Sequence, residues 1–424
     1  MLLLCFSHAF AGGGGEETSM LPLLWGLLLL SFAYLSAHFV VERLQRHYLF
    51  SSGAEYIALG IGLSYIAVFK DDKTYLPAIT FAIGWIGLIY GLNLDFRTIF
   101  LRAGAALRMA LTEVVVIGIG ITVLGTVFFR EFTDSDDFTG ICCGAMLGCV
   151  ALATSTSAVQ TVEKRFPSLQ THVLSLLRKG ATLNNIFAIV FFSIVVCTYQ
   201  RENINPDFYA ITPFLGGSML ALFTFMGGAL LALLYVAFLL SDNSENSRFL
   251  ALTGIICFAA GSAFFVDLPV LAVTLALGVV LANTRHRDAI HNMTLGAKKP
   301  AILLLLIFSG VQVDTVSWLK GGALCLGFWG IRFVLKAFSS WLSSYGSSMR
   351  SDLFRGHLSQ GEVSLAIALA FKLMLDGNGE AVDLAYVAAL FSVALNELIS
   401  PRWLRSLLVD IGDIREDLVN AKEG

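Results

Sequence analysis

Apolar runs close to the ~20 residues that an α-helix needs to cross a bilayer recur from one end of this chain to the other, and no other feature constrains its fold as much. Runs at 20–40, 103–129 and 213–240 are the plainest. A chain with so many cannot hide them all in a water-soluble core: only 14% of its 424 residues are charged, against about 25% in soluble domains. The sequence therefore predicts an all-α membrane protein, because a helix satisfies its own backbone polar groups in lipid.

Reading run by run gives about thirteen spans, near residues 20–40, 53–69, 75–91, 103–129, 138–160, 172–198, 213–240, 249–265, 269–282, 299–313, 320–345, 357–375 and 383–399. Basic residues fall unevenly between the alternate loops. One set holds Arg43, Arg46, Arg97, Arg102, Lys164, Arg165, Arg248, Arg285, Arg287, Lys298, Lys299, Arg350 and Arg355; the other holds Lys70, Lys73, Arg130, Arg201 and Lys320. The positive-inside rule puts the richer set in the cytoplasm, the acidic N-terminus with Glu16 and Glu17 outside, and the C-terminus inside.

Three segments follow from this division. Residues 1–19 form an N-terminal segment whose Ala9-Phe10-Ala11 resembles a signal-cleavage site without a basic region before it. Residues 20–400 form the membrane domain, with repeats expected at about 20–200 and 249–400. Residues 401–424 read as a mixed-charge cytoplasmic tail helix. The seven cysteines sit almost entirely within apolar runs without zinc-site spacing, and are expected to be small core residues. No metal site or cofactor is expected. The net charge of −3 gives no basic footprint for a nucleic acid. Neither His-Glu-x-x-His nor Gly-x-Ser-x-Gly occurs, so no intramembrane enzyme is expected.

The third run ends in Gly91-Leu-Asn-Leu-Asp95 and the tenth in Gly310-Val-Gln-Val-Asp314. Seven spans separate the two copies, and an odd offset turns the second upside down, the arrangement of inverted-repeat transporters. The same offset pairs span 4 with 11, 5 with 12 and 6 with 13, the spans that carry the polar intramembrane residues.

Those residues carry a resemblance. Gly91-Leu-Asn-Leu-Asp95-Phe-Arg97, the Thr/Ser-rich Ala153-Thr154-Ser155-Thr156-Ser157-Ala158, the basic Arg332-Phe-Val-Leu-Lys336 and Gly356-His-Leu-Ser-Gln-Gly361-Glu362 occur in order along most of the chain. Together they resemble the monovalent cation:proton antiporter superfamily, specifically its bacterial sodium or potassium/hydrogen exchanger branch. The resemblance implies two crossing broken helices, exchange of Na⁺ or K⁺ for H⁺ by alternating access, a homodimer, and residence in the cell inner (plasma) membrane.

One departure stands out. Thr182-Leu-Asn184-Asn185-Ile-Phe-Ala falls where the family carries Asn-Asp or Asp-Asp. A carboxylate binds a proton or a cation but not both, which is what exchange needs, whereas an amide offers only carbonyl oxygens. Asn184 and Asn185 are thus either weak cation ligands or hydrogen-bonding partners of the broken helices. Thr154 and Ser155 are either ligands or helix-packing groups.

Glu113 and Arg332 lie about eleven and twelve residues into spans 4 and 11, mid-membrane at ~1.5 Å per residue. An unpaired charge there costs about 2.5–3.5 kcal/mol on insertion scales, so the two are expected to be mutual counter-ions. By the resemblance Lys336 neutralises a site aspartate that this chain lacks, leaving Glu362 as its expected partner or as a displaced proton carrier. Glu397, beside Asn396 and close to Pro401, reads as a solvated helix-end acid. Two functions stay open: a cation:proton antiporter with atypical coupling, or a transport-inactive relative acting as a membrane sensor or interaction protein.

Overall fold

The computed structural model describes residues 53–65, 72–96, 104–133, 136–156, 159–160, 162–163, 172–204, 213–239, 245–313, 318–347, 349–375 and 379–413, with 31, 35 and 39. Among them there is no strand. Most of the first apolar run, the N-terminal segment, the motif residues Arg97, Ser157, Ala158 and Asp314, and the tail beyond 413 lie outside the described residues.

Every apolar run from the second to the thirteenth holds a helix. We number them α1 Ala54–Ser64, α2 Asp72–Leu92, α3 Gly104–Phe132, α4 Asp137–Leu152, α5 His172–Ile204, α6 Pro213–Leu239, α7 Glu245–Phe265, α8 Val270–Ala282, α9 Arg287–Val311, α10 Trp318–Ser344, α11 Glu362–Met374 and α12 Glu380–Ile411. Seven of these (α2, α3, α5, α6, α7, α10 and α12) are long and apolar enough to cross a membrane. The outer faces of α3 and α6 expose Val115, Ile119, Val123, Leu222, Met226 and Leu230, which suits contact with lipid tails. Five of the six described cysteines are buried and the sixth is partly so.

α12 runs past the helix end expected at Pro401. It continues through Pro401 to Ile411, so the boundary at 401 falls inside one helix and Glu397 is buried, not solvated. Proline inside a membrane helix is tolerated where neighbouring groups satisfy the freed carbonyl, which is why it misleads as a stop signal.

Two glycine contacts reveal the internal symmetry. A Cβ on Gly60 of α1 would lie 2.0 Å from the Ile307 carbonyl and 2.8 Å from the Gly310 Cα of α9, and one on Gly310 would meet Ile57 and Gly60 in return. A Cβ on Gly91 of α2 would lie 2.3 Å from the Leu275 carbonyl and 2.8 Å from the Gly278 Cα of α8, again reciprocally. Under the seven-span offset, span 2 exchanges with 9 and span 3 with 10, so the first contact maps onto the second. Small residues let the backbones approach where no side chain could fit.

The two broken helices meet at the centre. α4 stops at Leu152, and α11 begins only at Glu362, after a 3₁₀ turn over Leu353–His357. Between them the chains exchange bonds: the Ser155 N–H donates to the Ser359 carbonyl (3.0 Å), and Ser359 Oγ donates to the Ser155 carbonyl (2.5 Å). A Cβ on Gly361 would strike the Ser155 side chain at 2.5 Å, which explains glycine there.

A helix end leaves carbonyls without partners, a severe cost in a dry interior. Here each is met. The Val150 carbonyl accepts from Gln360 Nε2 (2.9 Å) and Ser364 Oγ (3.2 Å), that of Ala151 from Arg332 Nε (2.9 Å), and that of Leu152 from Thr154 Oγ1 (3.1 Å). Gln360 is itself oriented by Ser392 and Asn396 of α12 (2.8 and 2.6 Å).

Candidate functional site

The crossing gathers its polar residues into two centres on either side of the first break. The inner centre is closed to solvent. Glu113 of α3 stands where the helix widens into a π-helical segment, Val114–Ile119, a local distortion often found at functional positions. Its Oε2 accepts from Lys336 Nζ (2.6 Å) and Asn184 Nδ2 (2.5 Å), and its Oε1 faces His357 Nδ1 at 3.0 Å. Lys336 also donates to Thr154 Oγ1 at 3.0 Å. Glu113, Lys336, Asn184 and His357 are all fully buried.

The expected Glu113 and Arg332 pair does not form. Arg332 instead donates through Nε to Ala151 and through Nη1 to the Leu358 carbonyl (2.8 Å), tying the two breaks together. Arg332 and Lys336 are i and i+4 on one helix, so they share a face and differ by one turn in depth. Hydropathy alone could not decide which of them meets Glu113.

Asn185 serves the break itself. Its Oδ1 accepts the Thr154 N–H (3.0 Å) and its Nδ2 donates to the Thr154 carbonyl (2.8 Å), so the amide stands in for a strand partner. Asn184 Nδ2 also reaches Thr154 Oγ1 (3.2 Å), while its Oδ1 is buried without a hydrogen-bonding partner.

The outer centre surrounds Glu362, the first residue of α11. Its Oε1 accepts from Tyr90 Oη of α2 (2.8 Å), its Oε2 lies 3.5 Å from Ser155 Oγ, and Lys298 Nζ of α9 lies 3.9 Å away. Glu362 retains 12% side-chain exposure and Lys298 25%, which makes this the more open centre. A Cβ on Gly361 would lie 3.3 Å from Glu397 Oε1, so a second carboxylate stands close by. The expected Glu362 and Lys336 pair is replaced by these contacts.

Comparison with known proteins agrees with this architecture. The family described as "Sodium/hydrogen exchanger, transmembrane" matches residues 2–406. The chain belongs to that family. It is a multi-pass membrane protein and a member of a transporter family, not an enzyme. Among solved structures it is similar to the sodium proton antiporter MjNhaP1 from Methanocaldococcus jannaschii, with 15% identity, a TM-score of 0.66, and coverage of 92% of this chain and 99% of that one. At that identity the likeness speaks for the shared fold. No curated protein matches the chain.

Within this exchanger-family fold, sequence reasoning found Thr154, Ser155, Asn184, Asn185, Glu113, Lys336, Arg332 and Glu362, and missed His357 and Tyr90. His357 sits in the Gly356-His-Leu-Ser-Gln-Gly361 motif, where a histidine inside an otherwise uncharged break was the available signal. Tyr90 had none, since a tyrosine ending an apolar run reads as an interfacial residue. Asp95, from the repeated motif, pairs with Arg287 (2.8 Å), joining the end of α2 to the start of α9.

Proposed function

We propose that this chain exchanges a monovalent cation, Na⁺ or K⁺, for H⁺ by alternating access, with the Glu362 carboxylate as the group for which the two compete. The carrying observation is that Glu362 heads a broken helix, retains solvent access, and has Ser155 and Tyr90 hydroxyl oxygens at hand. A hard cation is bound through oxygens, and a carboxylate adds the fixed charge that offsets its dehydration. Lys298 supplies the counter-charge while the cation is absent, and the arriving cation takes over that role.

The coupling is atypical because Asn184 and Asn185 bring no charge. Both polar atoms of the Asn185 amide are spent on Thr154, which makes it scaffold. Thr154 and Asn184 belong to the closed inner centre. Rocking of one bundle against the other at the crossing would expose Glu362 to each side in turn. The proposal includes a homodimer in the inner (plasma) membrane with its N-terminus outside and C-terminus cytoplasmic, on the strength of the resemblance and the loop charges.

Proteoliposomes with an internal pH dye and imposed Na⁺ or K⁺ gradients test this reading. Wild type is expected to give cation-dependent proton flux and Glu362→Gln to abolish it. Undiminished flux in Glu362→Gln rejects the site. Absence of flux under every gradient favours the alternative, a transport-inactive membrane sensor or interaction protein, a reading supported by the already neutralised Glu113.

A further inference from the structure

His357 ends the 3₁₀ turn that leads into the second break, and its ring occupies a niche shaped for it. A Cβ on Gly180 of α5 would lie 2.6 Å from Cε1 and 3.1 Å from Nε2, so any larger residue at 180 would collide with the imidazole. The ring has no solvent exposure.

Its two nitrogens have different neighbours. Nε2 lies 3.0 Å from the Leu177 carbonyl, which can only accept, so Nε2 carries hydrogen. The neutral ring then has a bare lone pair at Nδ1, 3.0 Å from Glu113 Oε1. Two lone pairs at that distance repel, and a hydrogen bond requires a proton between them. The pair must be imidazolium with carboxylate or imidazole with carboxylic acid.

We infer that His357 and Glu113 share an exchangeable proton, which makes His357 a further proton-carrying residue of the exchange proposed above. This extends that reading and rests on it for its role in transport.

Charge explains why the proton can leave. Glu113 is one carboxylate facing two basic groups, His357 and, at 2.6 Å, Lys336. Arg332, from the same helix as Lys336, is directed to the Ala151 and Leu358 carbonyls. α5 presents the Leu177 carbonyl and Gly180, and on α12 Asp410 is engaged by Arg355 of the same turn at 2.5 Å. With both basic groups protonated the pocket holds one positive charge more than Glu113 neutralises, which is costly without water. With one protonated it is neutral.

Loss of the shared proton restores the repulsion between Nδ1 and Oε1 and pushes the turn away from α3. That turn continues directly into Leu358 and Ser359, which hold Arg332 and the first break. Deprotonation of His357 is thereby connected to the crossing.

The test uses the full chain in lipid nanodiscs with ¹⁵N-labelled histidine, His357→Gln assigning the signal. The expected spectrum has Nε2 protonated, as its contact with the Leu177 carbonyl requires, and a proton between Nδ1 and Glu113. The Nδ1 signal should change in the isosteric Glu113→Gln while Nε2 stays protonated. A His357 with Nε2 unprotonated, or with an Nδ1 response insensitive to Glu113→Gln, overturns the shared proton. In proteoliposomes His357→Gln is expected to shift the pH profile of exchange, and an unchanged profile overturns the transport role. If wild type shows no flux, that role falls with the Glu362 reading, and the spectrum still decides the shared proton.

Discussion

Lys336 Nζ lies 2.6 Å from Glu113 Oε2, and neither side chain reaches solvent. The family resemblance implies a site aspartate as the partner of such a lysine. Here the negative charge comes from α3 and not from α5, where Asn184 bridges to the same carboxylate oxygen at 2.5 Å. The buried amine thus has its counter-charge from α3.

Removing one member of this pair leaves a buried charge unmatched, which costs about 3–5 kcal/mol. The two deletions should differ. Lys336→Met leaves Glu113 facing His357, whereas Glu113→Gln strips the counter-charge from both basic groups. Thermal melts in detergent should rank Glu113→Gln as the more damaging, with Glu113→Gln/Lys336→Met recovering part of the loss. Additive losses would show that the two side chains are not coupled.

The paired glycine contacts make a prediction with its own control. Gly60→Ala and Gly91→Ala drive a Cβ into the carbonyls of Ile307 and Leu275, and backbone cannot rotate aside. Each should destabilise by about 1–3 kcal/mol, the range for overpacking, and by similar amounts because the internal symmetry relates them. Gly62→Ala, two residues along and so on the opposite face of the helix, with nothing within 4 Å of the new methyl, should be neutral or stabilising. A melt in which Gly62→Ala and Gly60→Ala behave alike would contradict the close packing.

The extent of the fold was legible because a membrane helix must be long, apolar and internally hydrogen-bonded, and those demands leave a mark at every span. The interruption at Thr154 and the one before Glu362 were legible for the same reason: polar and glycine-rich segments at membrane depth need partners. Pairing within the site was less so. Depth along a helix does not separate Arg332 from Lys336, and the bonds of Asn185 to the Thr154 backbone depend on tertiary packing that spacing does not encode. Glu397 was misread because Pro401 signals a helix end in water but not inside a packed bundle.

Arg332 bridges two carbonyls, Ala151 at the end of α4 and Leu358 before α11, through different nitrogens of its guanidinium fork. A lysine is a point charge on a flexible stem and cannot hold both in fixed geometry. Arg332→Lys should therefore cost about 1.5–3 kcal/mol, the worth of a hydrogen bond to a charged group. Hydrogen exchange should show the backbone around 153–156 and 358–361 opening more readily. Unchanged protection at both breaks would remove Arg332 from this bridging role.

An acid restored to α5 should behave differently at its two amide positions. Asn185 both donates to and accepts from the Thr154 backbone, at 2.8 and 3.0 Å. In Asn185→Asp an ionised carboxylate accepts but cannot donate, so an oxygen is forced against the Thr154 carbonyl at a cost of about 1–3 kcal/mol. The neutral acid donates again, so the loss should be smallest under acid conditions. Asn184 differs because its Oδ1 has no hydrogen-bonding partner and its Nδ2 points at Glu113 beside Lys336. Asn184→Asp also replaces a donor with an oxygen facing Glu113 Oε2, so the two acids must share a proton or move apart, but Lys336 and His357 stand beside them to offset the added charge. Melting curves should show both substitutions destabilising, Asn184→Asp less than Asn185→Asp because basic groups stand beside it, and any gain of cation-dependent flux should appear at 184. The reverse order would mean that Asn185 does not hold the broken helix in place.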